Sequence, residues 1–216
     1  MNIENQSTMS KLLVSLVVMT ILTVVVIDKV FFTTHGKSAS ILDDVKVELA
    51  APINGFSLID HNENKITSNT FIGHWTFVFF GFTNCPDICP ATLSQLVALN
   101  TLIRRDSGLA DKFKTMFVSV DPDRDSPKFL REYVKYFDSN FIGATGEMNN
   151  IISFEKQFGA FHVIGEKKQE NYTVSHTSSV FLVNPDGMFS ANFSPPMDLP
   201  MVVEQLNLFV NDYAKG

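Results

Sequence analysis

The chain is poor in the side chains that usually carry chemistry. Its 216 residues include two cysteines and five histidines, so a disulfide or a sulfur-ligated metal has to use Cys85 and Cys89. Positive charge is also scarce, with 17 Lys and Arg against 23 Asp and Glu and a formal net charge of -6. No basic patch stands out, which argues against nucleic acid as a partner. The chemistry therefore has to be sought around the cysteine pair.

Charge is missing altogether between Leu12 and Ile27. A spanning helix needs roughly 20 apolar residues, which the flanks of this segment can supply. No small-x-small cleavage site follows at once, and this favours an uncleaved anchor over a cleaved signal peptide. The sequence thus predicts a short N-terminal tail at 1–11, a transmembrane anchor at 12–32, a linker at 33–52 and a folded domain at 53–216.

The same segment bears on where the protein resides. An arginine-rich mitochondrial presequence is absent, which favours a bacterial host over an organelle. Because the tail before the anchor is short, we expect the folded domain to lie outside the cytoplasm. The expectation is a single-pass protein of the bacterial inner (cytoplasmic) membrane, with its soluble domain on the periplasmic, or extracytoplasmic, side.

Both cysteines lie in the segment Phe79-Phe80-Gly81-Phe82-Thr83-Asn84-Cys85-Pro86-Asp87-Ile88-Cys89-Pro90, which is typical of a buried strand that runs into a loop and then a helix. Each cysteine precedes a proline, which disfavours helical backbone at the cysteine itself. Pro90 suits the first position of a helix, so Cys89 is predicted to be its N-cap. The positive end of the helix dipole favours a thiolate, and we expect a lowered pKa for Cys89.

Two sulfurs four positions apart can close a disulfide or share one soft metal ion. The loop between them is too short for its closure to add much stability, which favours a working pair over a structural disulfide. A closed structural zinc site usually has four protein ligands. The sequence has no third cysteine, although Asp121 at a strand end can offer an oxygen. Thiolates, in contrast, select Cu(I) in particular.

Apolar runs and turn signals predict an α/β domain with a thioredoxin-like order of elements. A hairpin is expected within 55–67, followed by buried strands at 75–80 and 116–120 with a helix at 91–105 between them. The remaining predicted elements are helices at 129–137, 149–158 and 200–213, a short strand at 141–143, and strands within 173–184 and 187–193. The fold class is therefore α/β: a thioredoxin-like fold with an N-terminal hairpin extension, preceded by one transmembrane helix.

Three separated segments carry a resemblance to a known family. They are the cysteine segment at 79–90, the run Val118-Ser119-Val120-Asp121-Pro122-Asp123-Arg124-Asp125, and Val174-Ser175-His176-Thr177. In this order and spacing they resemble the Sco/SenC family, membrane-anchored thioredoxin-fold proteins linked to copper delivery for cytochrome c oxidase. The resemblance extends from about Gly55 to the C-terminus.

The resemblance implies that Cys85, Cys89 and His176 bind one copper ion, as Cu(I) with Cu(II) as the alternative oxidation state. The family often has an acidic residue just before the histidine, where this chain has Ser175. Orientation of the imidazole is then expected to depend on a backbone carbonyl or a water molecule. The remaining histidines are expected to face solvent: His35, His61, His74 and His162.

Two acidic features allow more than one interpretation. The segment at 121–125 is typical of a turn that caps the next helix, which Ser126 and Pro127 favour; the alternative is a role near the metal loop, through charge or partner docking. Asp87, between the cysteines, is expected to be exposed, where it either tunes the charge at the metal or marks a docking face.

Two functions from different classes stay open. One is a copper-binding metallochaperone, not an enzyme in the turnover sense, that delivers copper to the copper-site subunit of a respiratory cytochrome c oxidase during assembly; other copper chaperones or thiol oxidoreductases are further expected partners. The other is a membrane-anchored thiol-disulfide oxidoreductase, whose redox-active pair Cys85 and Cys89 reduces the cysteines of the oxidase copper site. His176 separates the two hypotheses, because reductase chemistry needs no third ligand.

Overall fold

The computed structural model describes residues 19, 20, 23, 52–106, 108–166 and 172–215. The chain divides into two compact units, Met1–Lys46 and Val47–Gly216. Among the described residues, no helix combines the length and the apolar character that a bilayer crossing requires. The predicted tail, anchor and linker lie outside the described residues, apart from residues 19, 20, 23 and 52, so these boundaries stay predictions.

The described part of the second unit is a mixed α/β domain, as predicted. Its elements are β1 (Leu58–Asp60), β2 (Lys65–Ile66), a 3-10 turn (Ser68–Phe71), β3 (Trp75–Gly81), α1 (Ile88–Arg105), β4 (Phe113–Ser119), α2 (Pro127–Phe137), β5 (Ile142–Thr145), α3 (Met148–Lys156), β6 (His162–Ile164), β7 (Val174–His176), β8 (Val180–Val183), β9 (Phe189–Phe193) and α4 (Leu199–Tyr213). Each predicted helix and buried strand is present within a few residues of its expected position.

The core of the fold is a seven-stranded sheet in the order β2-β1-β5-β4-β3-β8-β9. Strands β3, β4 and β5 run parallel to one another, while β8 pairs antiparallel to β3 and β1 pairs antiparallel to β5. The carboxyl ends of β3 and β4 therefore meet at one edge of the sheet. The cysteine segment follows β3 and the acidic segment follows β4, so both begin at that edge.

Strand β3 explains why its sequence is an uninterrupted apolar run. Side chains alternate across the sheet, so Phe77 and Phe79 pack into one core and Val78 and Phe80 into the other. The first core lies beneath α1, α2 and α4, and the second beneath α3. A strand covered on both faces needs apolar side chains on both, and every residue of β3 is buried.

The strand predicted within 173–184 is in fact two strands in two different sheets. Its second part, β8, pairs with β3 and β9 in the large sheet. Its first part, β7, pairs antiparallel with β6 in a separate two-stranded sheet, with His176 directly opposite His162. His176 therefore ends a half-buried strand of the small β6–β7 sheet, and the fully buried strand of the predicted hairpin begins only at Val180.

Candidate metal centre

The two sulfurs lie at different depths, one in the cysteine loop, residues 82–87, and the other in the helix that follows it. Cys85 is half-buried in the loop, whereas Cys89 is fully buried in the first turn of α1. The helix begins at Ile88 with exposed Asp87 as its N-cap residue. The prediction that Cys89 is the N-cap was therefore wrong by two positions, and Asp87 is exposed as expected.

The three sulfur and nitrogen ligands predicted for copper come together in the fold. The Sγ of Cys85, the Sγ of Cys89 and a ring nitrogen of His176 all lie within 4.8 Å of one another. Cys89 Sγ is 3.4 Å from His176 Nε2, and the backbone N–H of Cys89 donates to Cys85 Sγ at 3.4 Å. Ligand atoms at these separations can converge on a single ion with little movement.

A backbone carbonyl orients the imidazole of His176. The ring nitrogen Nδ1 lies 2.9 Å from the carbonyl oxygen of Thr177, and a carbonyl can only accept a hydrogen bond. The proton of the neutral ring therefore resides on Nδ1, and the lone pair of Nε2 faces Cys89. The expectation that a backbone carbonyl takes the place of the acidic neighbour is confirmed, since Ser175 precedes the histidine.

Aromatic rings and a glycine enclose the site. The rings of Phe79 and Phe82 meet the imidazole of His176 edge to face, with centroids 6.1 Å and 5.9 Å away. At Gly81 a Cβ atom would lie 2.7 Å from Cys89 Sγ and 2.7 Å from Cε2 of Phe117. Only glycine leaves room at this position for the sulfur, a requirement that the sequence alone does not reveal.

Burial shifts the pKa values of Cys89 and His176 in opposite directions. It raises the pKa of the Cys89 thiol well above its usual range, although a backbone hydrogen bond with Phe82 acts in the opposite direction. Burial also lowers the pKa of His176, against the opposing effects of the Thr177 carbonyl and the Glu155 carboxylate. The predicted lowering of the Cys89 pKa was wrong, because desolvation of the thiolate outweighs the helix dipole.

We expect the two cysteines of the reduced, metal-free chain to react with iodoacetamide at different rates. Cys85 should be alkylated more than about tenfold faster, since the thiolate is the reactive species and one pKa unit changes its population about tenfold. Tandem mass spectrometry over a time course measures both sites. In urea the difference should vanish, and equal rates in the folded chain would contradict the burial of Cys89.

The 121–125 turn contributes to the site without supplying a ligand. Asp125 is fully buried and accepts hydrogen bonds from the backbone N–H and the hydroxyl of Thr83 (2.9 and 2.5 Å) and from the hydroxyl of Ser119 (2.6 Å). Burial raises the pKa of Asp125, and these hydroxyl contacts oppose the rise. Asp125 thereby fastens the cysteine loop to the end of β4.

The neighbouring carboxylate, Asp121, has other partners. It accepts hydrogen bonds from the guanidinium of Arg124 and from the hydroxyl of Tyr172. It is not part of the group of ligand atoms within mutual reach, so the suggestion that Asp121 offers an oxygen to the metal is not supported. Ser126, directly after the turn, caps the next helix, because its side chain accepts from the backbone N–H of Phe129 at 3.4 Å.

A buried pair of an acid and an imidazole, which the sequence does not predict, lies next to His176. Nδ1 of His162 is 2.7 Å from Oε2 of Glu155, and the two side chains are 6 % and 2 % exposed. The second carboxylate oxygen of Glu155 is buried without a hydrogen-bond partner in the described part of the chain. The expectation that His162 faces solvent was therefore wrong. Its side chain is buried, and the residue lies directly opposite His176 in the small sheet.

The other histidines lie away from this group. His61 and His74 are half-buried rather than solvent-facing; His61 accepts from the backbone N–H of Gly143 (2.9 Å), and the ring of His74 contacts the carbonyl of Thr70 (3.0 Å). His35 lies outside the described residues.

Fold and site together define the class of protein: a thioredoxin-like α/β domain with two sulfurs and an imidazole placed to hold one soft metal ion. Residues 47–211 match the SCO1/SenC family. The chain belongs to this family.

Individual relatives agree with this assignment. The SCO2-like protein of Rickettsia prowazekii is 31% identical over 169 residues, which are 77% of this chain and 78% of the relative. The mitochondrial SCO2 homologue of Danio rerio is 36% identical over 135 residues, 62% of this chain and 48% of the relative. The chain thus matches about half the length of such mitochondrial relatives.

Solved structures give the same result for the fold. Arabidopsis thaliana ScoI, determined with copper bound, superposes with a TM-score of 0.68 at 33% identity and covers 74% of this chain and 99% of its own. Bradyrhizobium japonicum ScoI, also with copper bound, gives a TM-score of 0.63 at 30% identity and covers 73% of this chain and 97% of its own. The described domain therefore corresponds to nearly the whole of each solved chain.

Proposed function

We propose that this chain is a copper-binding metallochaperone that delivers copper to a respiratory cytochrome c oxidase during its assembly. The observation that carries the proposal is the convergence of Cys85, Cys89 and His176, whose ligand atoms lie within 4.8 Å of one another. Membership in the Sco/SenC family, which is linked to oxidase copper delivery, supports the same function. The copper-bound state of the plant and bacterial relatives supports copper as the cargo.

The donor set fits copper in both oxidation states. Two thiolates and a neutral imidazole give a formal site charge of about -1 with Cu(I) and about 0 with Cu(II), and soft thiolates select Cu(I). A closed structural zinc site would ordinarily require a fourth protein ligand. Because Cys85 is half-exposed, a recipient cysteine can approach the ion there, and copper can pass by stepwise exchange of ligands.

The proposal includes a location. The apolar segment at 12–32 would anchor the chain in the bacterial inner membrane, with the folded domain on the periplasmic side. The support is the absence of charge between Leu12 and Ile27 and the length such a segment needs to cross a bilayer. A reporter enzyme that is active only in the periplasm should be active when it is fused after the C-terminus. An inactive fusion would contradict this orientation.

Copper stoichiometry tests the function directly. We expect the reduced full-length chain, titrated anaerobically with Cu(I) against a coloured chelator, to bind a single ion, and the disulfide form to bind none, because the ligands must be thiolates. Copper should then move from the loaded chain to the reduced copper domain of an oxidase subunit. A reduced chain that binds no copper, or that prefers zinc, would contradict the proposal.

The unequal depth of the sulfurs favours a thiol-disulfide oxidoreductase as the second candidate. The thiolate of half-exposed Cys85 would attack a disulfide of the partner, forming a mixed disulfide and releasing one partner thiolate. The thiolate of buried Cys89 would then attack Cys85, which releases the second partner thiolate and leaves the chain oxidised by two electrons. Reduction of model disulfides without any copper binding would establish this function in place of the first.

A further inference from the structure

The two halves of the metal centre belong to different pieces of the fold. The cysteines follow β3 in the large sheet, whereas His176 ends β7 in the two-stranded β6–β7 sheet. Within the described residues, no strand ladder joins the two sheets. Three residues of connecting chain join His176 to β8, which pairs with β3 and so brings the histidine near the cysteines. At the other end of β7, side-chain contacts fix the position of the strand relative to the cysteine loop.

Tyr172, four positions before His176, is held by three contacts to the 121–125 turn. Its hydroxyl donates to Oδ1 of Asp121 at 2.5 Å, and its carbonyl accepts from Nη1 of Arg124 at 3.2 Å. Its ring also lies under the guanidinium of Arg124, with Cζ 3.8 Å from the ring centroid. Asp121 is fully buried, and its carboxylate also pairs with Arg124. The acceptor of the Tyr172 hydroxyl is therefore itself held in place by the turn.

The same turn holds the cysteine half of the site. Asp125 binds both the backbone and the hydroxyl of Thr83 in the cysteine loop. The guanidinium of Arg124 lies 5.6 Å from the ring centroid of Phe82, and that ring in turn contacts the imidazole of His176. One short turn after β4 thus contacts the cysteine loop on one side and, on the other, Tyr172, which precedes the strand of the histidine by two residues.

We propose that Asp121, Arg124 and Tyr172 are positioning residues for His176, while Asp125 and Thr83 position the cysteines. The inference rests on the proposed copper function and adds to it the residues that align the two halves of the metal centre. Tyr172 keeps its proton and acts as a donor, since burial and the adjacent Asp121 carboxylate raise its pKa to about 12. Removing that hydroxyl should loosen the imidazole half and leave the cysteine half intact.

A double-mutant comparison in the full-length chain tests this assignment. Tyr172→Phe removes the hydroxyl and keeps the ring, and we expect it to weaken Cu(I) binding about tenfold, as changes in residues that orient metal ligands do. In a His176→Ala background, the same substitution should have no effect, because there is no imidazole left to position. Thr83→Val, which acts through the cysteine loop, should weaken binding in both backgrounds.

Tyr213→Phe is the matched control. Its hydroxyl also donates to a carboxylate, Oδ1 of Asp186 at 2.8 Å, but its ring packs on Trp75 at the far end of β3. Removing this hydroxyl should leave copper affinity unchanged in both backgrounds. An equal loss for Tyr172→Phe with and without His176 would assign Tyr172 to general stability, and no loss at all would also overturn the proposal.

A readout without copper separates this inference from the proposed function. In the metal-free chain, ¹H–¹⁵N correlations of the imidazole report whether Nδ1 of His176 still donates to Thr177. Tyr172→Phe should shift the His176 signals and leave those of His74 in place. If the wild-type chain binds no copper, the proposed function fails, while this measurement still decides whether Tyr172 positions His176.

Discussion

Replacing His176 with alanine is expected to weaken Cu(I) binding by more than about 100-fold, since changes beside metal ligands alone cost about 10- to 100-fold. The imidazole supplies the nitrogen that faces Cys89 Sγ at 3.4 Å, and without it the ion keeps two sulfurs. Competition with a chromophoric Cu(I) chelator measures the change. In the Cu(II) form, nitrogen hyperfine structure in the electron paramagnetic resonance spectrum should disappear with the ring.

His74→Ala is the matched control for this substitution. His74 is a half-buried histidine that precedes β3, whereas the cysteines follow this strand. Its ring forms a hydrogen bond with the backbone carbonyl of Thr70. Its removal should leave copper affinity unchanged. Wild-type affinity in His176→Ala would show that the histidine is not a ligand, and a similar loss in both variants would point to general destabilisation.

Gly81→Ala is expected to damage stability and the metal centre together. The added methyl group would lie 2.7 Å from Cys89 Sγ and from Cε2 of Phe117, both of which are in the packed core. Overpacking of this kind lowers the free energy of unfolding by about 2 kcal/mol. Urea denaturation measures that change, and the copper titration should give at least about tenfold weaker binding because the sulfur is displaced.

A second substitution separates the two effects of Gly81→Ala. Phe117→Leu removes the ring atoms that the methyl group would meet, so the double variant should regain part of the lost stability. The contact with Cys89 Sγ stays, and copper binding should remain weak. Full recovery of copper affinity in the double variant would mean that the sulfur itself was never displaced.

Much of this architecture is predictable because the relevant signals are local. The apolar run of β3, the 3.6-residue spacing of Leu93, Leu96 and Leu99 in α1, and the Ser126-Pro127 start of α2 each depend on neighbours in sequence. The ligand set is different, since nothing local links Cys89 to His176. Its prediction depends on the resemblance to the Sco/SenC family, and the structure brings the predicted ligand atoms within 4.8 Å of one another.

The incorrect predictions for Cys89 and His162 have physical causes that a sequence pattern does not contain. The depth of Cys89 depends on how α1 settles over β3, and that depth reverses the expected direction of its pKa. Strand β6 has three residues and no clear alternation, so His162 resembled a loop residue. Its partner Glu155 lies one turn after Ile151, on the buried face of α3, although a glutamate is ordinarily exposed. Only the folded chain reveals that both side chains are buried against each other.

The contact between Nδ1 of His176 and the Thr177 carbonyl limits how many ions the centre can carry. An imidazole bridges two metals only when both nitrogens are free to coordinate, and here one nitrogen is committed to the peptide backbone. A second copper ion would find no nitrogen donor at this ring. If it shared the two cysteine sulfurs with the first ion, it would still have too few ligands. The cargo is accordingly expected to travel as isolated, mononuclear units.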